Sequence, residues 1–267
     1  MKVAIHHSRN IWQQKVAPIF QRGLKRHGID AILTSSKTRI SDVAIILGPN
    51  HWKEIEKDKG SYIMANRKFI GFGSQVHDNL AISWDGFNGR GTFCIDEIDK
   101  SRLSKYINID EMRDIRTGGD VSLYCEQSDH GRCTEFKNID EWYNHIKNTV
   151  KNELRFRKKV RQEEKHINHD MKLWNNDFEK DLVNVKEAHV LNSTISVELL
   201  YFGVPTICYD IGDPSYACKS INDRLGLFHT LANCQWHYDE VSNGDWWERM
   251  KKKRGPKLHE IEIRNPT

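Results

Sequence analysis

Residues Asn192 to Pro205 read NSTISVELLYFGVP, and the fold turns on this stretch because each part has a mechanical role in a strand, turn, helix, turn, strand unit. It follows a short apolar run, Ala188 to Leu191, and precedes another, Thr206 to Tyr209. Two parallel strands joined by a helix from about Thr194 to Phe202 are therefore predicted. Ser193 is a good helix N-cap, and the hydroxyls of Ser193 and Thr194 lie beside the free N–H groups of the first turn. A helix start offers oriented donors and about half a positive charge, suited to a diphosphate where a parallel strand ends and a crevice opens. Glu198, one turn on, is placed to accept hydrogen bonds from ribose hydroxyls. Gly203 supplies a left-handed C-terminal residue and Pro205 stops the helix. The same spacing equally serves a plain core helix, with Ser193 only a cap and Glu198 a solvated carboxylate.

Upstream the pattern repeats. Lys2 to Ile5 opens the chain as a strand, Ile11 to His27 has helical spacing at Val16, Ile19, Phe20 and Leu24, and Gly28 ends that helix. Ala31 to Thr34, Val43 to Leu47, Tyr62 to Ala65 and Phe69 to Phe72 read as buried strands, which predicts an α/β lobe. The chain turns polar from Asp110 to Gly119 before a new apolar run, Val121 to Cys125. The boundary is placed there, giving a first lobe over 1–117, a second over 118–245 and a basic C-terminal tail over 246–267. Trp142, Ile146, Val150 and Leu154 predict one long helix from Ile139 to Val160. Residues 161–186 are too charged to assign.

A chain of 267 residues exceeds one average domain, which fits two lobes. No apolar run approaches the roughly 18 residues needed to span a bilayer, and Met1 to Ser8 reads as a strand and not a signal-peptide core, so a cytoplasmic protein is expected. The six cysteines form no C-x-x-C pair, which excludes a zinc ribbon and a thioredoxin-like site and predicts reduced thiols. Residues 1–117 hold 19 Lys/Arg against 13 Asp/Glu, while 118–267 hold 22 against 24, so the first lobe suits a polyanion. No Asp-x-Asp occurs, which counts against chemistry that needs a divalent metal on a diphosphate; no metal and no cofactor are expected.

The order strand, N-S-T, x-x-x, E, four residues, G-x-P resembles the donor half of GT-B glycosyltransferases, especially capsule-polysaccharide transferases and the small transferases of bacteriophages. A second stretch, Leu231 to Gly244 (LANCQWHYDEVSNG), is similar to a segment that follows that motif in those proteins. Ser83 to Phe93 (SWDGFNGRGTF) resembles a segment of the phage members. The chain departs from those relatives at Cys125-Glu126-Gln127-Ser128-Asp129, where they often carry a glutamine, a proline and an aspartate, and it lacks an Arg-Pro-His-Pro segment over 155–170. The resemblance implies a GT-B-like α/β fold of two Rossmann-like lobes with a cleft between them. A nucleotide sugar, a UDP-sugar such as UDP-glucose, would be held by Asn192, Ser193, Thr194, Glu198, Gln127 and His229. It also implies an acceptor side formed by Trp84, Asn88 and Arg90, with Asp85 as the general base that takes the acceptor hydroxyl's proton. The leaving nucleoside diphosphate would be stabilised by the helix start and by Arg90. Turn composition offers another role for Asp85 in Trp84-Asp85-Gly86. A capping or core role is open for His229, while Gln235 and Trp236 are expected to pack the second lobe.

For the acceptor, the phage-like segments and the basic first lobe favour DNA carrying a 5-hydroxymethylpyrimidine such as 5-hydroxymethylcytosine, in a host cytoplasm if the chain is phage-encoded. A surface polysaccharide is the alternative. The basic runs Arg155 to Lys165 and Arg249 to Lys257 suit a phosphate backbone or a solvated face, and Trp52, Trp84 and Phe87 suit a turned-out base or a core. His166-Ile-Asn-His169-Asp170 raises a rival class, the metal-dependent phosphohydrolases. A nucleotide- or DNA-binding module without turnover is a third reading.

Overall fold

A computed structural model describes residues 1–8, 10–48, 55–57, 60–70, 78–95, 97–127, 136–158, 178–252 and 254–263. The chain is an α/β protein with two compact units, one made of Met1–Phe69, His77–Leu103 and His229–Ile261, the other centred on Ser104–Phe228. They differ from the expected lobes 1–117 and 118–245: residues 104–117 join the second unit, and most of the C-terminal stretch returns to the first.

In the first unit a six-stranded mixed sheet has the order β10-β5-β4-β3-β1-β2. Its strands are β1 (Val3–His6), β2 (Ile32–Thr34), β3 (Val43–Leu47), β4 (Tyr62–Arg67), β5 (Asn79–Trp84) and β10 (Gln235–His237). The branched residues of β1 and β3 are buried on both faces, as parallel central strands require. Helix α1 (Ile11–Lys25) is capped by Asn10, whose side chain accepts from the Trp12 N–H, and it buries Val16, Phe20 and Leu24. Together with α5 (Tyr238–Asn243) and α6 (Asp245–Met250) it supplies one core, in which Phe20 meets Trp246 edge-on at 4.9 Å.

The expected strand at Phe69 to Phe72 is a correction. Phe69 and Ile70 lie in a bend, where the Phe69 N–H donates to Gln235 Oε1, and the next strand is β5; residues 71 and 72 lie outside the described ones. Gln235 and Trp236 pair with Ala81 and Leu80 in the first unit's sheet and do not pack the second lobe.

In the second unit four strands run all parallel in the order β7-β6-β8-β9: β6 (Val121–Cys125), β7 (Glu153–Arg157), β8 (Val185–Val190) and β9 (Thr206–Cys208). The predicted helix over 139–160 ends early. Helix α2 covers Ile139–Thr149, and Glu153–Arg157 is the edge strand β7. Leu154 and Phe156 alternate along that strand, and Phe156 stacks on Tyr124 with ring centroids 5.2 Å apart. The deciding stretch folds as expected: β8, helix α3 (Ile195–Tyr201), Gly203 in the left-handed region at φ +75°, then β9. Helix α4 covers Arg224–Asn233. No helix among the described residues is long and apolar enough to cross a membrane.

Candidate functional site

In an open parallel sheet, ligands bind beyond the carboxyl ends of the strands where the strand order reverses. In the second unit the chain goes from β6 to its neighbour β7, then crosses to β8 on the other side of β6, so the reversal falls between β6 and β8. Cys125 ends β6 and leads to Glu126 and Gln127; Val190 ends β8 and leads to Asn192, Ser193 and Thr194. Gln127 and the N-S-T motif, more than sixty residues apart in the chain, are thereby brought to one edge of one sheet.

The local chemistry is polar and mostly spoken for. Gln127 Nε2 donates to the Cys125 carbonyl at 3.4 Å. Asn192 Nδ2 donates to Asp210 Oδ1 at 3.3 Å, and Ser193 Oγ accepts from the Ile195 N–H at 3.3 Å. Thr194 is exposed and Glu198 half-buried. The N-cap is Thr194, with no side-chain capping bond, and not Ser193 as expected. The amide of Ser193 is taken by a carboxylate: it donates to Asp213 Oδ2 at 2.9 Å.

Asp213 and Asp210, on the loop after β9, are 1% and 0% exposed, and sequence reasoning passed over both. The signal was present in Asp210-Ile-Gly-Asp213, two acidic residues just beyond the strand β9. Arg157, at the carboxyl end of β7, falls in the basic run Arg155 to Lys165 that the sequence offers to a phosphate backbone or a solvated face, and not among its donor-site candidates. It is ion-paired with Asp181 and lies 4.7 Å from the Phe178 ring centroid. Burial pushes the Cys125 thiol up to about 12, opposed by Arg157 and reinforced by Asp213 and Glu198, which sets all three charges around the end of β6. Under α2, the buried His189 shares a hydrogen bond of 2.9 Å with Tyr209 Oη; desolvation lowers its pKa although Glu187 lies 3.6 Å away.

The remaining candidates lie in the first unit. Asp85 has φ +51°, so the turn role open to it in Trp84-Asp85-Gly86 is the one the backbone adopts. Its Oδ1 accepts from the Tyr62 N–H at 2.8 Å and its Oδ2 accepts from Arg254. Arg254 also donates to Ser61 Oγ at 2.7 Å and lies 4.4 Å above the Trp84 ring. Trp84 is buried, with Nε1 donating to the Met250 carbonyl. Asn88 is buried at φ +49°, and Arg90 closes the same 3-10 turn with its N–H on the Phe87 carbonyl.

Register fixes where this cluster sits. Trp84 is opposite Ile63, and Tyr62 is level with Ala44 at the amino end of β3. The first unit's own reversal lies between β1 and β3, at the opposite edge of the sheet, beyond His6 and Leu47. The Asp85 cluster thus ties the β4–β5 end to the C-terminal segment. His229, on α4, is buried, and burial followed by the Lys100 charge lowers its pKa.

Trp52, His166, His169 and Asp170, Ser128 and Asp129, and the basic stretch 159–165 lie outside the described residues. Among the described residues no three His, Cys, Asp or Glu side chains gather to hold a metal ion. Cys94, Cys125, Cys208, Cys218 and Cys234 are free thiols.

No family model and no curated protein matches the chain. A solved structure of a XylFII–LytSN complex mutant aligns over 95% of this chain and 94% of its own at 11% identity, with a TM-score of 0.25.

Proposed function

We propose that the chain is a metal-independent glycosyltransferase of the GT-B type, which moves a sugar from a nucleotide-sugar donor, a UDP-sugar, to a hydroxyl acceptor. The observation that carries the reading is the reversal between β6 and β8, which puts the N-S-T motif and Gln127 at the carboxyl edge of an all-parallel sheet. Asn192 and Thr194, with its amide, line the position of the diphosphate in this proposal, the Arg157–Asp181 pair lies beside it, and Glu198 takes ribose hydroxyls. The acceptor oxygen forms a bond to the anomeric carbon as the bond from that carbon to the diphosphate oxygen breaks; the hydroxyl proton passes to solvent water, and the nucleoside diphosphate departs with its gained charge held beside Asn192 and Thr194. Asp85 is given no catalytic role, because both its oxygens are occupied and it lies at the far edge from its sheet's reversal.

The acceptor we propose is DNA bearing 5-hydroxymethylcytosine. The first unit carries 22 Lys/Arg against 15 Asp/Glu, an excess that suits a polyanion, and Lys251, Lys252 and Lys257 of its basic segment are exposed. Incubation with radiolabelled UDP-glucose and either hydroxymethylated or unmodified duplex DNA tests this. Label is expected on the hydroxymethylated duplex alone; labelled donor that is consumed without transfer to either duplex would remove the DNA acceptor.

A further inference from the structure

We propose that Asp213 is the positioning carboxylate of this site, fixing the turn Ser193–Ser196 and taking up one proton when a phosphate-bearing ligand binds over the carboxyl ends of β6 and β8. The inference rests on the donor reading above and adds a residue and a linkage to it. Asp213 holds four donors from three segments. Oδ2 accepts from the Ser193 N–H; Oδ1 accepts from Ser196 Oγ at 2.6 Å, from the Ser215 N–H at 2.8 Å and from Cys208 Sγ at 3.3 Å. It forms no ion pair among the described residues, so a negative charge is buried with hydrogen bonds as its compensation.

The cage is satisfied in both protonation states. Ser196 Oγ lies 2.6 Å from Asp213 Oδ1 and 2.8 Å from both the Ser193 carbonyl and Ser215 Oγ. With the carboxylate ionised, the serine hydroxyl donates to it. With the carboxyl protonated, its O–H donates to Ser196 Oγ, and the serine proton turns to the Ser193 carbonyl. One rotor movement accommodates one proton, and no backbone bond is lost.

The groups that face Asp213 are the Cys208 thiol from β9, the Cys125 thiol from β6, Ser193 and Ser196 from the turn into α3, and Ser215 from its own loop, where the Asp210 carbonyl accepts the Asp213 N–H. Burial pushes the Asp213 carboxyl up to about 6, while its hydrogen bonds pull the other way. At neutral pH it is mostly ionised. A diphosphate set over Ser193 adds like charge in a poorly solvated place and raises that value further. Between the free and liganded values the complex holds a proton the free protein lacks. Affinity therefore falls as pH rises, at most about tenfold per pH unit, and levels off below about pH 6.

Calorimetric titration with UDP-glucose, whose diphosphate diester does not titrate between about pH 5 and 8, reads this directly when run in two buffers of different ionisation enthalpy. Expected are an affinity at least about threefold weaker at pH 7.5 than at pH 6, and a buffer-dependent heat that reports proton uptake. Asp213→Asn is expected to bind with a flat pH profile and no proton exchange. Ser196→Ala, which keeps the carboxylate but removes the hydroxyl that receives its proton, is expected to lose most of the slope. Glu198→Gln is expected to keep it, whatever its affinity. A pH-independent wild type, the native slope in Asp213→Asn, or loss of the slope in Glu198→Gln overturns the inference. Failure of UDP-glucose, GDP-mannose and dTDP-glucose to bind at any pH overturns the donor reading itself, and this linkage with it.

Discussion

Arg102, which no sequence pattern singles out, ties several segments of the first unit together. It is buried in a 3-10 turn, donates to the carbonyls of Ala232 and Gln235 at 3.1 and 2.6 Å, pairs with Glu240 at 2.9 Å and lies 4.7 Å over the Trp236 ring. Arg102→Ala would remove the ion-pair partner of a carboxylate that is only 18% exposed, leaving it the His237 N–H, and the side-chain donor of two carbonyls; it is expected to cost about 3 kcal/mol, read as a lower urea midpoint. Arg102→Lys is expected to recover only part of this, because an ammonium cannot fork between carboxylate and carbonyls. Asp85 and Asp213 show the same limit of sequence reading from two sides. The resemblance of Ser83 to Phe93 made Asp85 a candidate base while its turn composition pointed to the role the backbone adopts, and nothing in the chain announced Arg254 as its partner. Asp213 lay in a legible position beyond a strand, but its burial came from a cage of serines that only the folded loop assembles.

At the scale of elements, short-range pattern served well where the signal was local. β3, β6 and the β8–α3–β9 unit lie where branched runs and the Gly203–Pro205 stop place them, because burial on both faces and a left-handed exit are written in consecutive residues. It failed at α2 and β7. Apolar residues at Trp142, Ile146, Val150 and Leu154 keep a spacing of four, which a continuous helix satisfies and a helix followed by a strand satisfies as well. Gly203 is the joint of the deciding unit, since a Cβ there would stand 1.9 Å from the Asp114 carbonyl oxygen, on top of its left-handed φ. Gly203→Ala is expected to destabilise by about 2–4 kcal/mol, measured by denaturant unfolding. An unchanged midpoint would show that the α3 exit carries little strain.

For the whole molecule, the hardest feature to read was the path of the chain. β10 pairs with β5 across more than 140 residues of sequence, and α5 and α6 complete the core that α1 began. Long-range pairing of this kind leaves no periodic mark, so a boundary placed by polarity near residue 117 gave contiguous lobes where the fold has an interrupted one. Charge follows the units: 22 Lys/Arg against 15 Asp/Glu in the first, 19 against 22 in the second. A polyanionic acceptor is accordingly expected to meet the first unit, and the second to hold the donor.

The most direct measurement is a crystal structure of the protein with UDP-glucose. The account predicts the diphosphate over Asn192, Ser193 and Thr194, with Gln127 and Arg157 beside the nucleotide and Asp213 buried beneath. A nucleotide bound at the Trp84–Arg90 turn, or crystals that stay empty at saturating donor, would contradict it.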